Sequence, residues 1–237
     1  MIAPAINVGY KEKLLFTHNP VEIPQLKRKN TENGRRYETP TGALYPSITT
    51  ILSAKSKPFI DAWKKRIGHA EANRISSAAA TRGTSIHSLV EHHLNNEKDL
   101  HEQGVQSLDM MTQEMYNNNM MPLLSDIDNI RCLESFLYSD HLRLGGQVDC
   151  IAEYKGVLSI IDFKTSNKRK TRSQCYNYFI QCAAYAIMFE ERTGIPVSQT
   201  VILMAQQDDG PAVFTAKRDD FVTQLLDARD DYELAQL

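Results

Sequence analysis

Apolar residues along this chain of 237 residues recur at two different periods, and the changes of period mark its elements. The clearest strand signal is Val157, Leu158, Ile160, Ile161 and Phe163, a near-continuous apolar run of the kind carried by a strand buried on both faces. Tyr154-Lys155-Gly156-Val157 reads as a tight hairpin connection that returns this run onto the preceding stretch from Gly145. Residues 132–138 read as a strand before the pair. Residues 200–205 and 212–216 read as two more, separated by the turn Asp208-Asp209-Gly210. Helical spacing appears elsewhere. A short helix begins after Pro46, and Phe59, Ile60, Trp63, Ile67 and Ala70 predict a longer one over 58–80. Thr81-Arg82-Gly83-Thr84 breaks that pattern and caps a helix over 85–95, striped by Ile86, Leu89, Val90 and Leu94. The polar stretch 97–104 reads as a loop, and 108–120 and 123–129 read as helices. Residues 176–192 form the strongest helix, stopped by Thr193-Gly194-Ile195-Pro196, and 219–234 predict a closing one.

The order is helices, three or four strands, a helix, two strands and a helix, which is a mixed α/β layer fold. Residues 1–45 carry scattered Pro, Asn, Thr and basic residues, with Asn33-Gly34 as a turn between short strands. They read as an N-terminal arm before a single domain over 46–237.

Composition narrows the picture slightly. Lys and Arg number 27 against 29 Asp and Glu, a formal charge of -2, so any site for a polyanion must be a local patch. The basic runs are Lys27-Arg28-Lys29, Arg35-Arg36, Lys64-Lys65-Arg66 and Lys168-Arg169-Lys170-Thr171-Arg172, and the last directly follows the apolar strand. Cys132, Cys150, Cys175 and Cys182 form no C-x-x-C pair and read as reduced, buried thiols, so no iron-sulfur cluster is expected. No secretion signal, transit peptide or membrane-spanning run is visible, and a soluble intracellular protein is expected.

The candidate chemistry lies at the strand pair. Asp162 and Lys164 share a strand face while Phe163 points away, and pairing across the hairpin brings Asp149 to the same end. Two carboxylates can hold a hard divalent cation through oxygen, and a lysine beside them can orient a water or neutralise phosphate charge. The alternative is an ordinary solvent-facing ion pair. The apolar flanks weigh against it, because buried charges are paired or metal-bound. His87 and Glu91 lie one helical turn apart, as do Gln181 and Tyr185. Each pair also fits an unremarkable surface or core contact. Glu134 fits a strand-edge surface residue better than a further metal-side carboxylate.

Taken together, Arg82-Gly83-Thr84-Ser85-Ile86-His87, Gly146-Gln147-Val148-Asp149, Ile161-Asp162-Phe163-Lys164-Thr165-Ser166 and Gln181-Cys182-Ala183-Ala184-Tyr185 resemble, in order, the motifs of the PD-(D/E)XK nuclease superfamily. The similarity covers roughly 46–233. The branch it resembles is the RecB-like one, in particular the mitochondrial genome maintenance exonucleases and their phage and bacterial relatives. The resemblance implies a restriction-endonuclease-like core, with a mixed central sheet flanked by helices. Asp149 and Asp162 would ligate Mg²⁺ or Mn²⁺, joined by the carbonyl of Phe163 and by His87, with Glu91 as a neighbouring candidate, while Glu134 stays a metal-side candidate on its strand position alone. Lys164 would position the attacking water. Gln181, Tyr185 and Arg82 would contact DNA, alongside the run Lys168, Arg169, Lys170 and Arg172.

The function this implies is metal-dependent exonucleolytic hydrolysis of DNA, with preference for single strands or flap ends. It would serve replication, repair, recombination or phage DNA metabolism, with replication or recombination proteins as partners, in bacterial or phage-infected cytoplasm. Trp63, Tyr176, Tyr178 and Phe179 are candidates to stack unpaired bases. The competing readings are a structure-specific endonuclease on the same core and a non-catalytic DNA-binding module.

Overall fold

A computed structural model describes residues 15–32 and 34–236. Asn33 of the expected turn lies outside the described residues. Three short strands come first: β1 (Lys27–Thr31), β2 (Gly34–Glu38) and β3 (Leu44–Pro46), an antiparallel sheet in that order. Two long helices follow, α1 (Ile48–Ile67) and α2 (His69–Leu94), then α3 (Lys98–Ser107) and α4 (Met110–Met115). A single π turn, Tyr116–Met120, joins α4 to α5 (Met121–Leu124).

The central sheet is β4 (Ile127–Ser139), β5 (Leu144–Tyr154), β6 (Val157–Ser166), β7 (Gln199–Gln206) and β8 (Gly210–Lys217), in that spatial order. Its strands pair antiparallel except β6 and β7, which run parallel. A parallel pair needs a crossover, and here it is α6 (Tyr176–Thr193). The last helix, α7 (Val222–Leu234), packs against α6. Lys155 and Gly156 both have positive φ, 51° and 77°, as a two-residue hairpin between right-twisted strands requires. Gly194 stops α6 in the left-handed conformation, its N–H bonded to the carbonyl of Glu190.

The sheet is covered on both faces. On one, Ile160, Ile202 and Met204 meet the apolar side of α6, including Phe179, Ala183 and Phe189. On the other, Ile161, Phe163, Val201 and Leu203 meet Ile86, Leu89 and Val90 of α2 and the helices after it. This is why β6 is apolar at successive positions.

Several local expectations need correcting. The break expected at 81–84 is absent, and the chain instead breaks at Gly68, which has φ 89° between α1 and α2. The short helix expected after Pro46 and the first part of the one expected over 58–80 form a single helix, α1, with Pro58 inside it, and residues 69–80 belong to α2. Residues 97–104, read as a loop, lie largely in α3, whose face toward α2 offsets its polar composition. Residues 127–129, read as the end of a helix, begin β4, where Ile127 and Asp128 pair with Tyr154 and Glu153 of β5. In each case tertiary contacts decide the conformation, because local propensities are worth only tenths of a kcal/mol per residue.

Candidate active site

The register of β5 on β6 runs from Tyr154↔Val157 to Cys150↔Ile161 and then stops. Asp149 is the next residue. With the ladder open there, its Oδ2 accepts the backbone N–H of Phe163 at 3.0 Å in place of a strand partner. This puts Asp149 beside Asp162 at the strand ends, as the hairpin spacing predicts. Asp162 is 1% exposed and Asp149 9%, so neither is an ordinary surface carboxylate.

Lys164 returns to the Asp162 face, and its Nζ lies 2.6 Å from Asp162 Oδ2. The ammonium also lies 5.1 Å from the ring centre of Tyr178. Burial pushes the Asp162 carboxyl above its usual range while Lys164 pulls it back. Burial alone would lower Lys164, but Asp162 and Asp149 outweigh it and hold the ammonium charged. A buried ion pair of this kind is weak evidence of stability, since desolvation offsets its attraction, and therefore points to use.

From the opposite layer, α2 delivers His87. Its Nε2 lies 2.8 Å from the Phe163 carbonyl oxygen, and its Nδ1 lies 3.7 Å from both Glu134 Oε1 and Asp149 Oδ2. Burial works against a charged imidazole, yet Glu134 and Asp149 push His87 up to about 9. Ligand atoms of His87, Glu134 and Asp149 all lie within 4.8 Å of one another. Two carboxylates and an imidazole, with a carbonyl alongside, suit a divalent cation with mainly oxygen ligands. Asp162 lies outside this trio, turned to Lys164.

Glu134, expected to be a strand-edge surface residue, is the main revision. The pairs Leu133↔Cys150 and Ser135↔Val148 bracket it, which sets it opposite Asp149. Its φ is 44°, left-handed and uncommon for a residue other than glycine. Gln147 Nε2 donates to Glu134 Oε2 at 2.8 Å and steadies the carboxylate. Only the Gly-Gln-Val-Asp segment offered a signal for Gln147, and nothing in the sequence marked the turn at Glu134. Glu91 is half-buried and lines a groove of about 500 Å³ together with Glu134, without joining the trio.

On the other side of the sheet, Gln181 Nε2 donates to Asp162 Oδ1 and to the Tyr185 hydroxyl, at 3.3 Å each. Tyr185 fits because Gly146 has no side chain: a Cβ there would lie 2.5 Å from its ring. The basic run is partly engaged. Arg169 pairs with Asp209, and Arg172 donates to the Thr215 carbonyl and lies over Phe179. Lys168 is exposed and Lys170 half-buried. Arg82 is buried, with its Nε unpartnered. Among the candidate stacking aromatics, Phe179 is a core residue stacked on Phe221, and Tyr178 is half-buried against Lys164. Tyr176 is exposed.

A family model described as PD-(D/E)XK nuclease superfamily matches residues 62–236. The chain belongs to this superfamily. Mitochondrial genome maintenance exonuclease 1 of Mus musculus and of Homo sapiens are each 29% identical to it over 178 residues, covering 70% of this chain and 51% of theirs. The Xenopus tropicalis protein of the same name is 29% identical over 208 residues, covering 81% of this chain and 55% of that one. The chain thus spans about half the length of the curated relatives it matches. A crystal structure of a candidate exonuclease from Eubacterium rectale aligns with a TM-score of 0.42 at 14% identity, covering 64% of this chain and 63% of that one. The five-stranded mixed sheet and its flanking helices agree with the restriction-endonuclease-like core that the motifs imply, and nucleases of this superfamily use divalent metals. Among the described residues, no helix is long and apolar enough to cross a membrane.

Proposed function

We propose that the chain is a metal-dependent DNA exonuclease that hydrolyses phosphodiester bonds, and that it prefers single strands with free ends. The observation that carries this reading is the pairing of the half-buried Lys164 with the buried Asp162, beside Asp149, Glu134 and His87 where β4, β5 and β6 meet α2. Asp149, His87 and Glu134 would hold Mg²⁺ or Mn²⁺, with Asp162 and the Phe163 carbonyl on its flank. A divalent cation there supplies Lewis acidity to the scissile phosphate and eases deprotonation of water.

The chain's own groups do the rest. Lys164, held charged by Asp162, orients the attacking water in line with the leaving oxygen and offsets charge developing on the phosphate. The Gln181 amide, donating to both Asp162 and the Tyr185 hydroxyl, holds the two in place, and Tyr185 keeps its own O–H to donate to a phosphate oxygen next to the reacting centre. Lys168, Lys170, Arg169 and Arg172, which follow the strand of Asp162, run along the DNA backbone, with Arg82 approaching from α2. Exposed Tyr176 offers a surface for an unpaired base. The exonuclease names of the relatives support action from free ends. Their role in genome maintenance supports a place in replication, repair or recombination.

Purified Asp162→Ala and Lys164→Ala chains are expected to lose at least about 10²-fold of the wild-type rate on end-labelled single-stranded DNA with Mg²⁺, since removing one oxyanion donor alone costs about 10²–10³. Wild-type rates in either variant would sink the assignment. Equal cleavage of linear and closed circular single strands would overturn the exonuclease reading in favour of an endonuclease.

A further inference from the structure

Tyr37 in β2 plays no part in the chemistry above, yet it is fully buried. It lies so close to β5 that a Cβ on Gly145 would come within 2.8 Å of it. Its hydroxyl makes no well-formed hydrogen bond among the described residues, which is costly for a buried polar group. Tyr37 pairs in register with Arg28 of β1 and lies two residues from Arg35 on its own strand, so alternation sets all three on one face. Both arginines are exposed, and neither is ion-paired among the described residues. On the opposite face Lys29 is paired with Glu38 at 3.0 Å.

This face is turned to the catalytic strands. Tyr37 packs with Phe136 and Tyr138 of β4. From Gly145, β5 leads through Gln147 to Asp149, about 13 Å at the usual strand rise. Burial pushes the Tyr37 hydroxyl up while Arg35 and Arg28 draw it down, so both cations act on that hydroxyl. Tyr185, raised first by burial, is raised further by Asp149, Asp162 and Tyr37, which links the two tyrosines electrostatically.

We propose that Arg28, Arg35 and the Tyr37 hydroxyl form a phosphate-binding subsite, which holds a backbone phosphate of the same DNA strand on the β5 side of the one cleaved at Asp149 and Asp162, more than one nucleotide away from it. Two guanidinium groups around a hydroxyl donor match a phosphate and read no base, so the subsite positions the strand without sequence preference. It rests on the nuclease reading and gives the N-terminal sheet a part in the active site.

The test measures binding of a fluorescent single-stranded DNA by anisotropy across a salt series in Mg²⁺, on the full chain carrying Lys164→Ala to prevent cleavage. Adding Arg28→Ala and Arg35→Ala should weaken binding about tenfold and lower the slope of log affinity against log salt by about 1, as expected when one phosphate is no longer neutralised. Lys27→Ala with Lys29→Ala, the same charge removed from the opposite face, should leave affinity within about twofold and the slope unchanged. Tyr37→Phe keeps the ring and should weaken binding without lowering the melting temperature of the free protein. An arginine variant that binds as its parent does, or a lysine variant that weakens as much, would overturn the subsite while leaving the nuclease reading in place. A parent that binds no DNA would overturn both.

Discussion

At the scale of single residues, charge placement separates groups that serve the site from groups that serve the fold. Asp162, buried, and Lys164 and His87, half-buried, hold charge because each faces an opposite charge. His93, nearly two turns beyond His87 on α2, is the reverse case. It packs edge-on to Phe16 and beside His101, and burial, with His101 adding to it, pushes its pKa down to about 4. The unfolded chain would titrate near the free value of about 6.5, so the fold favours the neutral ring. The stability this gives is intact above about 6.5 and is lost as pH falls toward 4. We expect the unfolding free energy from urea titrations to fall by about 2 kcal/mol between pH 7 and pH 4.5, allowing for partial exposure, and His93→Gln to remove most of that difference. A variant as acid-sensitive as the wild type would refute this origin. The residues of the site divide in the same way by how visible they were. Asp149, Asp162 and Lys164 stood out because the period of a strand fixes which side chains share a face. Glu134 did not, since its left-handed φ, in a stretch where the β4–β5 register is the same on either side, leaves no mark in the local sequence.

At the scale of elements, the two glycines of the long helical segment behave oppositely. Gly83 lies inside α2, and a Cβ there would meet nothing within 4 Å. Gly68 joins α1 to α2 with φ 89°. Gly83→Ala should therefore stabilise by about 0.5–1 kcal/mol, and Gly68→Ala should destabilise by about 1–2 kcal/mol, as measured by thermal or denaturant unfolding. A destabilising Gly83→Ala would restore the helix break that Thr81-Arg82-Gly83-Thr84 implies. Elements whose pattern was long and regular were legible: α6 with its Gly194 stop, and the hairpin of β5 and β6. Elements with mixed signals were not. The N-terminal part of α2 is exposed and rich in alanine, so no apolar stripe announced that it continues, and α3 owes its helix to packing on α2.

At the scale of the whole molecule, the site is assembled from β4, β5 and β6 at the centre, α2 on one face and α6 on the other. A cation binding at this junction ties layers together that are separate in sequence, and any ligand bound only by the folded state raises apparent stability. Mn²⁺ or Mg²⁺ added to metal-free protein should raise its melting temperature, through a gain in unfolding free energy of about 2.7 kcal/mol at a hundred times Kd, while Asp149→Asn should abolish the shift. An equal shift in the variant would place the cation elsewhere. By itself the sequence determined the strand that carries Asp162 and Lys164, the hairpin that returns Asp149 to it, and the motif order that marks the family, because period and turn chemistry act over a few residues. Only the tertiary structure decided that Glu134 completes a donor set with His87 and Asp149, and that Tyr37 with its arginines comes to lie along β5. Those contacts join residues far apart in the chain, and their geometry follows from how layers pack and where a strand ladder opens, which no local pattern encodes.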